Sequence, residues 1–501
     1  MLSPKELRPY AKYGDCVKSP LAKFRRLNSL IEVDQDINNV KMLDGDVPLS
    51  QSFPNGQLIK TLSITLNPSD EGLKENDGPV TKQQRIDDKR PEEWPIFDSS
   101  LKFQQAVNRI RTIFDVIEKL KFNKAKKPIR MNLGDPTIGK NIGPHEIILK
   151  AVEDVLKDGN FNGYLPAAGA QCSREAVAKK YSNPKAPIIS DDVIITSGCS
   201  HALDMAIAAL SENGRNILVP DIGFPLYSAL CRKNDIKVRT YPINMEEGVI
   251  DLKRLEEQID KNTIAMIVNN PMNPAGIVFS KSHLEEVLKI AHKYKIIIIA
   301  DEIYGDLTFN NANFHSLATL SPKVPIICCD GISKRYLVPG WRLGWLILYN
   351  RYNALDNIKS TILTLTQHMM GPCALIQGAL PAILEKTPLS FHENICNLLQ
   401  NNADIVYKKI SDIPGLKPLK PYGAMYMMVK IDPKIYGNEW EFIENLIKEE
   451  SVYCFHGSLF NATNWFRMLL TFPEEVTKEA CDRIAMFCFK QQQQKLINGK
   501  K

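Results

Sequence analysis

Short apolar runs that alternate with amphipathic segments are the feature of this 501-residue sequence that most constrains its fold. Such runs are typical of parallel β-strands that are buried on both faces and joined by crossover helices. Between two of them, Ser282-His-Leu-Glu285 is a capping-box pattern, and Leu284, Val287 and Leu288 recur on one face of the predicted helix. The sequence therefore predicts the α/β class, with a mostly parallel central sheet and helices on both faces. The predicted strands cover residues 192–197, 216–221, 263–269, 295–301, 324–330 and 343–349.

The pattern changes at three points along the chain. Beyond Pro372, longer helices (377–384 and 394–410) precede short strands (424–431 and 466–472), which predicts a smaller α+β domain. The first 93 residues mix charged residues with Pro, Ser and Asn and show little periodicity, which predicts disorder. The predicted parts are a disordered extension (1–93), an arm with part of the small domain (94–144), a large domain (145–375), a small domain (376–490) and a disordered, Gln-rich tail (491–501).

Composition and charge exclude several classes of protein. The longest apolar runs are shorter than the roughly 20 residues of a membrane-spanning helix. The net charge of +6 is small and no dense Lys/Arg run is present, which argues against a nucleic-acid partner. The 11 cysteines and 8 histidines follow no zinc or disulfide spacing, so we expect no metal and a reducing compartment. A cytoplasmic location is predicted, with a basic mitochondrial leader in the first 30 residues as the alternative.

Polar residues follow several predicted strands directly. Asp301 and Tyr304 follow one strand, Asn273 lies in the Asn-Pro-rich segment after another, and Lys334 follows a third, with Arg342 eight residues later. Ligands of open α/β sheets bind beyond the carboxyl ends of the strands. Each residue alone has a structural explanation: a helix cap for Asp301, a turn for Asn273, a solvated loop for Lys334 and a surface ion pair for Arg342. Their joint occurrence in this order favours one ligand site.

Four strings that surround these residues form a recognisable set: Ser197-GCSHALD, Asn269-NPMNPAG, Ala300-DEIYGD and Ser333-KRYLVPGWRLGW. Together they resemble a known family, the fold-type I pyridoxal-phosphate aminotransferases. The resemblance runs from about residue 94 to residue 491. Within that family, the tyrosine aminotransferases are similar to this sequence in Gly371-PC, Gln377-GAL, Pro421-YGAMY and Asn464-WFRMLLT.

The resemblance implies a catalytic core built around pyridoxal 5′-phosphate. Lys334 would bond to the cofactor aldehyde, and its freed amine would move the proton between the substrate α-carbon and the cofactor. Asp301 would pair with the ring nitrogen and keep it protonated. Tyr304 and Asn273 would hydrogen-bond the ring hydroxyl. Phe224 would stack on the ring, with a plain core aromatic as the alternative.

The resemblance also implies a phosphate site that two subunits share. Gly198, Cys199 and Ser200 lie between a strand and a helix, where free N–H groups and the helix dipole favour an anion. Ser200 could instead be only a helix N-cap. Arg342 would hold the phosphate with its planar fork. Tyr164 fits the family position that reaches the phosphate from the partner subunit, which implies a homodimer.

For the substrate, Arg467 resembles the family arginine that binds the α-carboxylate, beside the backbone of Gly134 and the side chain of Asn273. A strand-edge surface charge is the alternative for Arg467. Many relatives carry a hydroxyl residue three positions before the lysine, whereas this sequence has Gly331 there, and the role of Ser333 is left open.

The activity implied by the resemblance is transamination of L-tyrosine with 2-oxoglutarate to 4-hydroxyphenylpyruvate and L-glutamate, the first step of tyrosine catabolism. The partners would then be a small amino acid and a 2-oxo acid. Alternatives are an aminotransferase of broader specificity (phenylalanine, kynurenine, alanine), a cystine-type β-lyase, and a non-catalytic binding or regulatory relative.

Overall fold

A seven-stranded and a four-stranded β-sheet, with two further pairs of short strands, organise the part of the chain that the computed structural model describes, which is Phe97 and residues 99–498. The strands are β1 (Ile129–Arg130), β2 (Val193–Thr196), β3 (Asn216–Pro220), β4 (Lys237–Tyr241), β5 (Ile243–Asn244), β6 (Val249–Ile250), β7 (Thr263–Asn269), β8 (Ile297–Asp301), β9 (Ile326–Gly331), β10 (Gly344–Tyr349), β11 (Leu416–Pro418), β12 (Tyr426–Ile431), β13 (Val452–Tyr453), β14 (Phe455–His456) and β15 (Trp465–Leu469).

The α-helices connect and cover these strands. They are α1 (Leu101–Gln105), α2 (Arg109–Glu118), α3 (Glu146–Asp158), α4 (Gln171–Tyr181), α5 (Cys199–Ala208), α6 (Leu226–Lys233), α7 (Leu252–Glu257), α8 (Lys281–Tyr294), α9 (Leu317–Leu320), α10 (Asp356–Thr366), α11 (Ala374–Lys386), α12 (Leu389–Ser411), α13 (Pro433–Tyr436), α14 (Glu439–Glu450) and α15 (Glu474–Asn498). Short 3₁₀ helices cover Ser190–Asp192, Pro339–Trp341, Arg351–Asn353 and Gly457–Phe460.

The larger sheet has the strand order β2-β10-β9-β8-β7-β3-β4. From β9 to β4 neighbouring strands are parallel, and β10 runs antiparallel to both β2 and β9. The predicted α/β class with a mostly parallel sheet is confirmed. The reversal at β10 arises because the segment between β9 and β10 contains no crossover α-helix. Strand β4 was not predicted, since it lies at the edge of the sheet and only Tyr241 among its five residues is buried.

Helix α8 shows how local chemistry sets a boundary. Its N-cap is Ser280, whose hydroxyl accepts a hydrogen bond from the His283 N–H at 3.2 Å. The prediction that Ser282 caps this helix is therefore wrong by two residues, because Ser280 has the extended backbone of a cap and Ser282 lies in the first turn. The predicted apolar face is confirmed, since Leu284 and Val287 are fully buried.

The smaller sheet has the order β11-β12-β15-β14 and is antiparallel. Strands β12 and β15 correspond to the predicted strands 424–431 and 466–472. Upstream, β1 pairs in parallel with β13, which joins the predicted arm to this part of the chain. The described residues form one compact unit, so the predicted division near residue 375 stays a prediction.

The last helix extends further than the sequence indicates. The predicted disordered tail is wrong for residues 491–498, which continue α15. Glutamine has a favourable helix propensity, and Gln492 donates a hydrogen bond to the Tyr436 hydroxyl at 2.6 Å. Residues 499–501 and the predicted extension 1–93 lie outside the described residues.

Within residues 99–498, no helix combines the length and the apolar character that crossing a membrane requires. The same part of the chain contains no group of three or more His, Cys, Asp or Glu side chains arranged to hold a metal ion. The predicted cytoplasmic location stays a prediction.

Candidate active site

Asp301 is the last residue of β8 and lies 4% exposed at the carboxyl end of the large sheet. Its Oδ2 atom accepts a hydrogen bond from the Tyr227 hydroxyl at 2.6 Å, and its Oδ1 atom accepts from the Cys199 thiol at 3.6 Å. Burial raises the pKa of Asp301, while these donors and the charge of Lys334 act in the opposite direction. No helix begins there, so the helix-cap explanation is wrong. A cation placed against this carboxylate would relieve the cost of its burial.

Lys334 follows β9 and is half-buried. Its Nζ atom donates a hydrogen bond to the backbone carbonyl of Gly134 at 2.6 Å, across 200 residues of sequence. The solvated-loop explanation for this lysine is therefore wrong. The structure brings together two segments that the sequence could connect only through the family resemblance.

The turn between β2 and α5 and the segment after Lys334 also meet. Gly198 is the N-cap of α5 with φ 78°, and a Cβ there would lie 2.4 Å from Nη2 of Arg342. Arg342 donates to the carbonyls of Pro339 (2.9 Å) and Ser197 (3.1 Å), so the surface-carboxylate explanation for it is wrong. Ser200 is exposed inside the first turn of α5 and is not its N-cap. The N–H of Gly198 donates to the Thr196 carbonyl at 2.8 Å, so the prediction that it is free is wrong. The N–H groups of Cys199 and Ser200 begin the helix beside the exposed guanidinium.

Arg467 is 2% exposed in β15, which lies between β12 and β14. The explanation of Arg467 as a strand-edge surface charge is therefore wrong. Its Nη1 atom donates to Oδ1 of Asn273 at 2.8 Å, and its Nη2 atom donates to the carbonyl of Asn132 at 3.0 Å. The guanidinium carbon lies 4.0 Å from the ring centroid of Tyr426 and 4.5 Å from that of Phe460. Burial lowers the pKa of Arg467.

Asn273 and Tyr304 lie next to Arg467, Asn273 as its hydrogen-bond acceptor and Tyr304 through its contact with Tyr426. The Tyr304 hydroxyl oxygen is 3.1 Å from that of Tyr426, and both side chains are buried. Burial raises the pKa of Tyr304 well above its usual range. The backbone N–H of Asn273 donates to Oδ1 of Asn269 at 2.8 Å, so its segment is fixed by a side chain rather than left as a free turn.

The remaining predicted residues differ in exposure. Phe224 is half-buried and meets Tyr227 edge to face, with the ring centroids 5.7 Å apart. Tyr164 is 91% exposed. A Cβ at Gly331 would lie 2.8 Å from the Leu343 carbonyl oxygen and from Gly344, so position 331 has no room for a side chain. Ser333 is buried.

Sequence reasoning missed three residues that hold the predicted ones: Tyr227 and Tyr426 through their side chains, and Asn132 through its backbone carbonyl. Tyr227 follows Phe224 by three residues, a helical spacing that could have indicated a shared face. Tyr426 lies in the segment Pro421-YGAMY, and Asn132 lies two residues before Gly134, but neither was given a role. Both Oδ1 and Nδ2 of Asn132 are buried without a hydrogen-bond partner among the described residues.

A buried ion network also lies directly beside Lys334. Arg335 is 2% exposed and donates to Asp330 (2.7 Å), Asp306 (2.8 Å), the Tyr181 hydroxyl (2.9 Å) and the carbonyl of Glu302 (2.9 Å). Burial raises the pKa of Asp330, and the charge of Arg335 opposes that rise. The network ties the exits of β8 and β9 together, and these exits carry the site carboxylate and the site amine.

The comparisons with known proteins all match this chain to aminotransferases. Residues 126–484 match the model of the family described as aminotransferase class I and II. A tyrosine aminotransferase from Caenorhabditis elegans is 49% identical over 403 residues, which are 80% of this chain and 87% of the relative. A solved tyrosine aminotransferase from Leishmania infantum has a TM-score of 0.75 at 30% identity, covering 79% of this chain and 99% of its own. An alanine aminotransferase from Pyrococcus furiosus has a TM-score of 0.74 at 31% identity, covering 78% and 100%.

Proposed function

This chain belongs to the aminotransferase class I and II family, and from that membership we propose that it transfers the amino group of L-tyrosine to 2-oxoglutarate, with pyridoxal 5′-phosphate as its cofactor. The observation that carries the proposal is the convergence of Lys334, Asp301 and Arg342 at the carboxyl end of one sheet, with Arg467 entering from the second sheet. Each has the chemistry that the reaction requires at its position.

The site residues fit the cofactor. Asp301 is a buried carboxylate held by two neutral side-chain donors, and it has no ion-pair partner among the residues described. A protonated ring nitrogen would supply the missing cation. At the other end, Gly198 leaves space that a Cβ would fill, directly against the Arg342 fork. Backbone N–H groups at a helix start and a guanidinium suit a phosphate.

The cofactor, when bound, supplies an electron sink for the bonding electrons of the substrate α-carbon. The residues of the chain hold the cofactor and the substrate and move the proton. Lys334, oriented by the carbonyl of Gly134, moves the proton at the α-carbon. Asp301 holds the proton on the ring nitrogen. Asn273 accepts from Arg467 through Oδ1, which leaves its Nδ2 donor available for the ring hydroxyl beside Tyr304.

Arg467 provides the substrate anchor. Its charge is buried between aromatic rings and is met by an amide oxygen and a backbone carbonyl rather than by a carboxylate. The Nε atom is buried without a partner in the described part of the chain. An α-carboxylate would supply both the counter-charge and the acceptor.

The choice of L-tyrosine is supported by sequence similarity. The relative with 49% identity is named a tyrosine aminotransferase, whereas the folds of the tyrosine and alanine enzymes match this chain about equally well, with TM-scores of 0.75 and 0.74. We further propose a homodimer in which Tyr164 of one subunit completes the phosphate site of the other. Its 91% exposure in a single chain supports that arrangement.

The test is an absorbance spectrum of the purified protein with pyridoxal phosphate, recorded before and after L-tyrosine is added without any 2-oxo acid. We expect a yellow band that bleaches, with 4-hydroxyphenylpyruvate appearing in proportion to the number of sites. Bleaching only by another amino acid would refute the substrate. Pyruvate and ammonia released from cystine would support the β-lyase, and the absence of any band would refute the cofactor.

A further inference from the structure

Tyr426, the first residue of β12, lies between two side chains to which the proposed function gives separate tasks. Its hydroxyl oxygen is 3.1 Å from that of Tyr304, which would bind the ring hydroxyl. Its ring centroid is 4.0 Å from the guanidinium carbon of Arg467, which would bind the substrate carboxylate. Tyr426 is itself 2% exposed. One buried side chain therefore touches both the cofactor end and the substrate end of the proposed site.

The Tyr426 hydroxyl also lies directly against Gly134. A Cβ at position 134 would be 2.4 Å from that oxygen, which is closer than non-bonded atoms approach, so the contact requires glycine there. The carbonyl of the same glycine accepts the hydrogen bond from Lys334. This third contact connects Tyr426 to the backbone that orients the amine.

We propose, on the premise of the proposed function, that Tyr426 is a positioning residue with two effects. It directs the hydroxyl proton of Tyr304 toward the cofactor, and it holds the guanidinium group of Arg467 in place. Only one proton can lie between the two hydroxyl oxygens. Since Tyr304 would give its proton to the ring oxygen of the cofactor, Tyr426 is the donor of the pair. A hydroxyl that accepts a hydrogen bond becomes a stronger donor. The Tyr426 ring, 4.0 Å from the guanidinium carbon, restricts the positions that the Arg467 guanidinium can take.

The first variant tests the role of the Tyr426 hydroxyl separately from that of its ring. Tyr426→Phe removes the donor to Tyr304 and keeps the ring under Arg467. We expect the pH midpoint of the absorbance change of the lysine-bound cofactor to rise by about 0.5 pH unit, because weaker donation to the ring oxygen makes the nitrogen linked to Lys334 more basic. The Michaelis constant for L-tyrosine should change by less than about twofold.

The second variant removes the ring as well. In Tyr426→Leu the midpoint should rise as in Tyr426→Phe, and the Michaelis constant for L-tyrosine should increase about tenfold, since Arg467 loses its nearest aromatic face. Tyr304→Phe removes the hydrogen bond to the ring oxygen altogether, so its midpoint shift is the upper limit against which the Tyr426 variants are compared. The groups that act electrostatically on Tyr304 are Tyr426, Arg467 and Asp301, and neither Tyr426 variant alters the two charged ones.

Tyr453→Phe is the matched control. Tyr453 is another buried tyrosine of the same region, and its ring lies under Arg130, outside the proposed site. Removal of its hydroxyl should leave both the midpoint and the Michaelis constant unchanged. Circular dichroism and size-exclusion chromatography establish that each variant is folded.

The outcomes separate the inference from the proposed function. A wild-type midpoint in folded Tyr426→Phe, beside a raised midpoint in Tyr304→Phe, would overturn the role of Tyr426 and leave the proposed function intact. A wild-type protein that binds no pyridoxal phosphate would overturn both. Should Tyr426→Leu fail to fold, the midpoint of Tyr426→Phe decides, because that change removes a single oxygen.

Discussion

The two cations of the proposed site that the chain shields from solvent, Lys334 and Arg467, are held by neutral oxygen atoms. Lys334 donates to the carbonyl of Gly134, and Arg467 donates to Asn273 and Asn132. Neither forms an ion pair with a carboxylate of the described residues. A neutral acceptor orients a side chain without forming an ion pair with it. The charge of Arg467 therefore stays available to a substrate carboxylate, and the amine of Lys334 stays available to the cofactor aldehyde.

The role of Lys334 gives a prediction at the scale of one residue. Lys334→Ala should lower turnover of L-tyrosine by about 10³-fold or more, because both the covalent attachment and the proton transfer are lost. Steady-state assays with 2-oxoglutarate measure the loss. Lys323→Ala, which removes an exposed lysine from the segment that precedes β9, should behave like the wild type. Wild-type turnover in Lys334→Ala would refute the assignment.

Arg467→Lys tests the substrate anchor. A lysine keeps the charge but loses the planar fork that reaches Asn273 and Asn132, so we expect the Michaelis constant for L-tyrosine to rise roughly 10- to 100-fold. The turnover number should fall less. Arg130→Lys is the matched control, since Arg130 also stacks on a tyrosine, Tyr453, but lies outside the site. An unchanged Michaelis constant in Arg467→Lys would contradict the anchor.

At the scale of elements, the small sheet buries polar side chains that its strands bring from distant segments. Strand β15 places Arg467 opposite Met428 of β12 and Phe455 of β14. The next residue of β14, His456, is buried and meets Trp440 of α14 edge to face, with the ring centroids 4.9 Å apart. Burial lowers the pKa of His456 to about 4.

His456 makes the stability of the protein depend on pH in a definite direction. Its pKa is lower in the folded state than the usual 6.5, so below pH 6.5 the unfolded chain binds a proton that the folded protein does not. This contribution is present above pH 6.5 and is lost as the pH falls towards 4. We expect a loss of about 2 kcal/mol in the free energy of unfolding between pH 7 and pH 5.

Urea unfolding at both pH values, compared between variants, measures this contribution. In His456→Gln the decrease in stability from pH 7 to pH 5 should be smaller by about that amount. His368→Gln, at an exposed position, should keep the wild-type dependence. Equal pH dependence in His456→Gln and the wild type would show that His456 does not carry the effect.

At the scale of the whole molecule, Tyr164 is the residue through which the proposed homodimer would complete its phosphate site. It lies in the segment between α3 and α4, is 91% exposed, and no hydrogen bond to the proposed phosphate site holds it within its own chain. Met369 and Met370 are exposed apolar side chains, at 62% and 49%. A second subunit could cover such surface and bring its tyrosine to the phosphate.

Mixed dimers test the shared site directly. Tyr164→Ala should weaken cofactor binding, and Lys334→Ala should abolish turnover. In a mixed dimer of the two variants, the site with intact Lys334 receives an intact Tyr164 from its partner, so activity at limiting pyridoxal phosphate should return to about half of the wild-type value. Mixing Lys334→Ala with Asp301→Asn restores no site, because both residues belong to the same subunit. No recovery in the first mixture would refute the sharing.

The sequence by itself determined the strand and helix pattern of the large sheet and placed Asp301 and Lys334 at strand exits. It could do so because these features depend on local order, namely apolar runs buried on both faces and polar residues directly after them. The same local reading misplaced the cap of α8 by two residues and missed the edge strand β4. Their patterns are weak, since two serines compete for the cap and the edge strand is half exposed.

The tertiary structure alone decided which side chains hold the site together. Tyr227 reaches Asp301 across 74 residues, Tyr426 reaches Tyr304 across 122, and Gly134 meets Lys334 across 200. It also decided that Arg467 is buried at the centre of a sheet rather than exposed at its edge. Local patterns carry no information about such contacts, because a hydrogen bond between distant segments forms only after both sheets have packed.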